Sequence, residues 1–164
     1  MPTHPIPPIY STNPGNPSRI LILGSFPSVK SRETAFFYGH PQNRFWRVLA
    51  EILQEPVPTS VAEKTALLTT HGIALWDVIA ACDIRGSSDS SITNVTPTDL
   101  TPILETVTIR AVFTNGTTAT RLYKRYQEPL TGIPSIALPS TSPANAACSF
   151  DQLMQAWSAI LEHL

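Results

Sequence analysis

The chain has 164 residues, of which 42% are hydrophobic and 14% are charged, and its net charge is −1. This length and composition are typical of one globular domain and exclude an intrinsically disordered chain. The charge also excludes a protein that coats DNA without specificity, because such affinity grows with the number of phosphates that lysine and arginine neutralise. Any contact with DNA must therefore come from a local basic patch.

The N-terminal segment is rich in proline, and the chain as a whole has 16 prolines. We expect residues 1–18 to form an extended arm and residues 19–164 to form a single domain. No run approaches the roughly 20 apolar residues of a membrane span, and the N-terminus lacks the apolar stretch of a signal peptide. We therefore expect a soluble intracellular protein, cytoplasmic if the source is a bacterium, with no membrane contact.

The chain has two cysteines, Cys82 and Cys148. A metal cage of thiolates or an iron–sulfur cluster needs about four such ligands. We therefore expect reduced thiols, no bound metal and no cofactor.

The first predicted element is a strand, because residues 20–23 are a bounded run of isoleucine and leucine. Such a run is typical of a strand buried on both faces of a parallel sheet. The strand ends in Gly24-Ser25-Phe26-Pro27-Ser28, which predicts a tight turn with exposed backbone N–H groups. Open α/β sheets bind ligands at this end of their strands.

A second segment, residues 36–46, is dense in aromatic and polar side chains. It contains Gly39-His40-Pro41-Gln42-Asn43-Arg44-Phe45-Trp46. Apolar residues at helical spacing predict a helix from near Asn43 to about Gln54. Taken alone, this segment is equally compatible with a loop that leads into an aromatic helix start.

The rest of the chain alternates between predicted helices and strands. A capping box at Ser60 opens a helix that Gly72 closes, and a second one at Ser149 opens a final amphipathic helix through Leu164. Strands are predicted at residues 73–76, 111–114 and 133–138, a polar loop at 85–97, and helices at 99–106 and after Gly116. This alternation predicts a three-layer α/β/α domain with a central, mainly parallel four-stranded sheet.

Together with a third segment, Leu138-Pro139-Ser140-Thr141-Ser142-Pro143-Ala144, the first two segments resemble the uracil-DNA glycosylase superfamily. The resemblance runs from Ile20 to about Ala147 and is strongest to the hypoxanthine-DNA glycosylase branch, while residues 39–46 are also similar to mismatch-specific uracil-DNA glycosylases. It implies a uracil-DNA glycosylase-like fold and a monofunctional DNA glycosylase of base excision repair, which flips out a deaminated base and hydrolyses its N-glycosidic bond. Hypoxanthine is the preferred base and uracil the second. The implied partner is DNA, as duplex or single strand, and the protein is expected to be a monomer.

The resemblance implies that Asn43 is the catalytic residue. Much of the superfamily has a water-orienting Asp or Asn at the position of Phe26, and the implied substitute here is the amide of Asn43. An amide orients water and donates to a leaving base, although it is a poor base. The alternative is a helix N-cap, a position that favours Asn, and the two roles are compatible.

Three further residues receive implied roles in base recognition. Tyr38 matches the aromatic that stacks on the flipped base, with core packing as its alternative. His40 is expected to contact a phosphate or to hold its loop. Asp77 falls where the superfamily reads the Watson–Crick edge, and its alternative is a helix cap.

The remaining implied contacts are with the DNA, some with its backbone and some with the base. In the third segment, the residues expected to press on the DNA are Ser140, Thr141, Ser142 and Pro143. In the same segment, Leu138 occupies the position where other branches of the superfamily have His or Asn. The first turn, Gly24 to Ser28, is expected to contact the base. Lys30, Arg44 and Arg47 are the expected phosphate contacts, since positive charge exceeds negative charge near the proposed site.

Two other classes of enzyme or binding protein are less compatible with the sequence. A serine hydrolase lacks support because there is no Gly-x-Ser-x-Gly motif, and a dinucleotide-binding domain because Gly-x-Gly-x-x-Gly is absent. The serious alternatives are a catalytically inactive glycosylase-like DNA-binding protein and a uracil/thymine mismatch-specific glycosylase.

Overall fold

The computed structural model describes residues 2–164. Strands and helices alternate through most of the chain. The strands are β1 (Ile20–Gly24), β2 (Ile73–Asp77), β3 (Ile79–Asp83), β4 (Thr93–Pro97), β5 (Ala111–Asn115) and β6 (Ser135–Leu138). The helices are α1 (Val29–Thr34), α2 (Phe45–Leu53), α3 (Val61–Thr70), α4 (Thr101–Thr106), α5 (Thr117–Tyr126), α6 (Glu128–Thr131) and α7 (Phe150–Trp157).

Four parallel strands form the central sheet in the order β2-β1-β5-β6. Their register places Gly24 beside Asp77, and Asn115 beside Leu138. The carboxyl ends of all four strands therefore meet at one edge of the sheet. The predicted fold class, a mainly parallel four-stranded sheet between helices, is confirmed.

The two faces of the sheet bury two separate hydrophobic cores. Ile20 and Ile22 pack with α2, α3 and α7, whereas Leu21 and Leu23 pack with α4 and α5. All four side chains are fully buried because β1 lies inside the sheet and is covered on both sides. Among the residues that the structure describes, no helix has the length and apolar character needed to cross a bilayer.

Local signals explain where the longer helices begin. Both predicted capping boxes are present, Ser60 with Glu63 at α3 and Ser149 with Gln152 at α7. The predicted extension of the last helix to Leu164 is wrong, because α7 ends at Trp157 and residues 158–163 form 3₁₀ turns.

A small antiparallel hairpin was not predicted from the sequence. Residues 93–97 lie in the expected polar loop but form β4, which pairs with β3. The pattern gave no sign of this strand because most of its side chains are exposed and only Val95 and Pro97 are half-buried. Two short helices, α1 and α6, were also not predicted.

The N-terminal arm lies against the outer edge of β2. Ile9 exchanges two backbone hydrogen bonds with Leu75, and Thr3 forms a second antiparallel bridge with Ala81 of β3. Ile6 is only 3% exposed and belongs to the core beneath the sheet. The arm therefore covers an edge strand that would otherwise present unpaired backbone groups. The domain boundary at residues 18 and 19 stays a prediction.

Candidate active site

A cleft of about 890 Å³ opens at the edge where the carboxyl ends of the central strands meet. Its size suits a bound base or another small molecule. It is lined by every residue predicted to bind the base or carry the chemistry: Gly24, Ser25, Phe26, Pro27, Ser28, Tyr38, His40, Asn43, Asp77, Ser140, Thr141, Ser142 and Pro143. Segments far apart in the sequence thus share one cleft, and the roles of these residues stay predictions.

Asn43 has one end of its amide fixed by the helix and the other end free. The Phe45 N–H donates to Asn43 Oδ1 at 3.0 Å, which identifies that atom as the oxygen. The backbone N–H of Asn43 donates to the backbone carbonyl of His40 at 3.0 Å. No residue from 2 to 164 accepts from the Asn43 side-chain NH₂ group, and Asn43 is one of the residues that line the cleft. The N-cap alternative is wrong, because the N-cap residue of α2 is Arg44. Asn43 precedes it and instead accepts one hydrogen bond from the first helical N–H, at Phe45.

His40 is held by its own loop. Its Nδ1 accepts from the Gln42 N–H at 3.1 Å, so the proton of a neutral ring lies on Nε2. The side chain is half-buried at the cleft. Nε2 is thus the atom that His40 can offer to a ligand.

Tyr38 forms an aromatic wall of the cleft. Its ring stacks on Phe45 with centroids 4.1 Å apart and an interplanar angle of 23°. Its backbone adopts the left-handed region, with φ of 52°, which is uncommon for a residue other than glycine. Burial, and then the charge of Asp77, raise the pKa of the Tyr38 hydroxyl, which therefore stays neutral. Phe45 covers one face of the ring, and Tyr38 is one of the residues that line the cleft.

Asp77 lies at the end of β2 with only 3% of its surface exposed. Its Oδ1 would lie 2.4 Å from a Cβ placed on Gly24, and the Tyr38 hydroxyl oxygen would lie 2.8 Å from the same point. Only glycine leaves room for both groups. The helix-cap alternative for Asp77 is wrong, because the strand β3 follows at Ile79.

The N-terminal arm adds a side chain that was not predicted. His4 Nε2 lies 2.8 Å from Asp77 Oδ2, and each side chain is only 4% exposed. The His4 ring packs edge-on against Phe26, with centroids 5.9 Å apart. Phe26 therefore supports the arm from the position where the superfamily resemblance places a water-orienting residue.

Asn115 connects the wall of the cleft to the third segment. Its side-chain NH₂ group donates to the Tyr38 hydroxyl at 3.2 Å and to Thr141 Oγ1 at 3.1 Å. Its Oδ1 accepts from the Thr141 N–H at 3.1 Å. Thr141 is fully buried and holds the loop in place. Ser140 and Ser142 are half-buried, and each hydroxyl oxygen accepts one backbone N–H from its own loop, which leaves the hydroxyl protons available.

A serine-rich loop, residues 86–91, brings a second carboxylate to the cleft. Asp89 Oδ1 accepts from the Ser25 hydroxyl at 3.0 Å, and Ser87 Oγ accepts from the Val29 N–H at 2.9 Å. Desolvation by the surrounding protein raises the pKa of the Asp89 carboxyl group, whereas the hydrogen bond from Ser25 lowers it. This loop thus fastens the first turn to the hairpin.

The three predicted phosphate contacts lie outside the cleft lining. Lys30 and Arg47 are exposed, on α1 and in the first turn of α2. Arg44 is half-buried, and its guanidinium donates to the carbonyls of Cys148 and Asn145. Arg44 therefore holds the loop after β6, a structural role that its position in the sequence did not indicate.

Sequence reasoning missed Asn115 and Asp89, which line the cleft, and His4, which contacts Asp77 from outside the lining. Asn115 ends a strand just as Asp77 does, so the rule applied to Asp77 would have found it. Asp89 stood in a segment treated only as a polar loop. His4 gave no signal, because no local pattern indicates that an arm residue will reach a site 73 positions away.

Comparison with known protein families identifies the class of protein to which this fold and cleft belong. The family model of the uracil DNA glycosylase superfamily matches residues 12–161, and the chain belongs to that superfamily. A solution NMR structure of a candidate uracil DNA glycosylase from Methanosarcina acetivorans has a TM-score of 0.81 and 31% identity, and covers 98% of this chain and 97% of its own.

Two curated relatives carry the name hypoxanthine DNA glycosylase. The one from Methanosarcina acetivorans is 34% identical over 150 residues, which are 89% of this chain and 92% of the relative. The one from Methanosarcina barkeri is 37% identical over 87 residues, and that match spans about half of each chain (52%). The resemblance to the superfamily and to its hypoxanthine branch, inferred from the three segments, is confirmed.

Proposed function

We propose that this protein is a monofunctional DNA glycosylase that removes deaminated bases, with hypoxanthine as the preferred base and uracil as the second. One observation carries the proposal. The free NH₂ group of Asn43, the buried carboxylate of Asp77 and the stacked ring of Tyr38 belong to one cleft large enough for a flipped base. The names of the two curated relatives support the choice of hypoxanthine.

Asp77 is the proposed reader of the base edge. A carboxylate oxygen accepts a hydrogen bond from N1–H of hypoxanthine or from N3–H of uracil. Adenine and cytosine, the parents of these bases, have a bare ring nitrogen at that position, which would face the carboxylate as a second acceptor. A buried acceptor that loses its partner is costly, so one carboxylate discriminates strongly.

Asn43 is the proposed catalytic residue. The bond between C1′ of the sugar and the base nitrogen breaks, and the electron pair leaves with the base while positive charge develops on the sugar. The Asn43 NH₂ group donates to the negative charge on the departing base or to the attacking water. Water adds its oxygen to C1′, and its proton passes to the base or to solvent. The products are the free base and an abasic site.

The rest of the cleft is proposed to hold the strand and the base. Tyr38 would stack on the base through the ring face opposite Phe45, and Ser140 and Ser142 would donate their free hydroxyl protons to phosphates. Lys30 and Arg47 would supply positive charge nearby. Within residues 2–164 no lysine lines the cleft, which supports simple hydrolysis over Schiff-base lyase chemistry.

A single-turnover assay on a duplex with one deoxyinosine tests this proposal. The wild type should convert it to an abasic site, act more slowly on uracil and leave adenine intact. Asn43→Ala should lose about 10²-fold or more, as expected for a lost group that stabilises transition-state charge. Asn43→Asp is the sharper variant, because its Oδ1 still accepts the Phe45 N–H and keeps the helix start while the donor is gone.

The outcomes separate the remaining functions. A wild type that binds the duplex but excises no base would be the inactive DNA-binding protein, and one that acts only on G·U or G·T pairs would be the mismatch-specific enzyme. An Asn43→Asp variant with the wild-type rate would exclude donation by the amide. The monomeric state and the intracellular location stay predictions that sedimentation and cell fractionation would test.

A further inference from the structure

The N-terminal arm places one buried polar side chain, that of His4, in contact with Asp77, although His4 itself does not line the cleft. His4 is fixed at its backbone, where its N–H donates to the Ala80 carbonyl at 2.7 Å. Its ring is surrounded by Phe26, Phe37 and Trp76, with centroids 5.9, 6.0 and 6.1 Å away. The imidazole therefore has little freedom to turn.

Its tautomer follows from its two partners. The Ile6 N–H donates to His4 Nδ1 at 3.1 Å, so that nitrogen carries no proton. A neutral imidazole then has its proton on Nε2, which lies 2.8 Å from Asp77 Oδ2. His4 is thus a hydrogen-bond donor to the Asp77 carboxylate.

The hydrogen bond from His4 makes the two carboxylate oxygens of Asp77 different from each other. Oδ2 is occupied by His4, whereas no residue in the described part of the chain donates to Oδ1. Oδ1 lies over Gly24, on the same side as the Tyr38 hydroxyl. A buried carboxylate needs donors to stay in place, and His4 supplies one while it leaves Oδ1 without a donor from the described residues.

We propose that His4 is a positioning residue for base recognition, which holds Asp77 so that Oδ1 accepts the N–H of the target base. The N-terminal arm is then part of the active site, although it precedes the central sheet. The proposal rests on the proposed function, because it takes Asp77 to be the residue that reads the base.

Two substitutions at His4 separate positioning from packing. His4→Phe keeps an aromatic ring among its neighbours but cannot donate to Asp77, and single-turnover excision of hypoxanthine should fall about 10-fold or more. His4→Gln places a side-chain N–H close to the position of Nε2 and should recover most of the rate. Thr3→Ala, at the exposed neighbouring arm residue, is the matched control and should behave as the wild type.

A double-mutant cycle tests whether His4 acts through Asp77. The variant with both His4→Phe and Asp77→Ala should excise hypoxanthine no more slowly than Asp77→Ala alone. The proposal would be overturned if the double variant lost activity by the product of the two single losses. It would also be overturned if His4→Phe excised hypoxanthine at the wild-type rate. Failure of His4→Gln to recover activity while its fold is intact would also overturn it.

The nitrogen NMR spectrum of His4 gives a readout that does not depend on activity. Nδ1 should resonate as an unprotonated nitrogen and Nε2 as a protonated one, and Asp77→Ala should shift the Nε2 signal. A protonated Nδ1 would overturn the proposal even in an active enzyme. If the wild type excises no base, the proposed function is wrong, and the spectrum alone decides whether His4 holds Asp77.

Discussion

Two residues determine how the Asp77 carboxylate is oriented: the imidazole of His4 donates to it, and Gly24 leaves room for it. His4 donates to Oδ2, and Gly24 leaves room for Oδ1 because glycine has no Cβ. The register of the sheet brings Gly24 and Asp77 together as neighbouring residues of β1 and β2. The orientation of the carboxylate therefore depends on contacts that no single segment contains.

This arrangement predicts an altered base preference for Asp77→Asn. The His4 Nε2–H should keep the amide oxygen in the place of Oδ2, so the NH₂ group takes the place of Oδ1 and faces the base. Excision of hypoxanthine should then fall by about 10²-fold, because two donors meet, while discrimination against adenine decreases. Single-turnover rates on inosine, uracil and adenine duplexes measure both effects.

Asp77→Ala serves as the control for this substitution, and it should lose hypoxanthine and uracil excision together. Melting temperatures of both variants show how much of the change comes from stability. Unaltered ratios between the three bases in both variants would remove Asp77 from base reading.

The start of α2 and the loop after β6 are joined by Arg44. Its backbone N–H donates to the Thr141 carbonyl at 3.1 Å, and its guanidinium donates to two further carbonyls of the same loop. Arg47, three residues later, is exposed and makes no such contact with residues 2–164. Two neighbouring arginines in one helix turn are thus expected to act differently.

Glutamine substitutions should separate these two arginines. Arg47→Gln should weaken DNA binding similarly for all sequences and reduce the slope of affinity against salt concentration by about 1, as the loss of one phosphate contact does. Arg44→Gln should lower the melting temperature, because the loop loses charged hydrogen bonds. Arg110→Gln is the control, since Arg110 is exposed at the opposite end of β5. An unchanged salt slope for Arg47→Gln would show that Arg47 makes no phosphate contact.

The whole domain buries ionisable hydroxyl groups as well as apolar side chains. Burial raises the pKa of Tyr38, with Asp77 adding to the effect, and burial also raises the pKa of Tyr123 against an opposing hydrogen bond from Thr131. In the unfolded chain tyrosine ionises near pH 10. The unfolded state therefore releases protons that the folded state retains.

The free energy of unfolding should consequently fall as the pH rises above about 10. Below that pH both states keep these protons, so the contribution to stability is fully present there. Urea denaturation at a series of pH values from about 8 to 11 measures the fall. Tyr38→Phe and Tyr123→Phe should each show a smaller fall than the wild type. An identical pH dependence in the wild type and in both variants would contradict the assignment.

The local pattern of the sequence was sufficient to predict the central sheet and the starts of the two helices with capping boxes, α3 and α7. The aliphatic run at β1 can be satisfied only by burial on both faces, and the capping boxes at Ser60 and Ser149 act within four residues. The turn at Gly24 and the segment around Asn43 are also local, and the resemblance they carry identified the superfamily. These features depend on neighbours in the chain, which a sequence displays directly.

The contacts that hold the cleft together are between distant residues, and no local pattern indicates them. His4 meets Asp77 across 73 positions, and Arg44 meets Cys148 across 104. The arm pairs with β2 and β3, and β4 pairs with β3, although the side chains of the arm and of β4 are mostly polar or half-exposed. Such pairing is decided by which backbone groups are left unsatisfied after the sheet has formed, and that is a property of the folded chain.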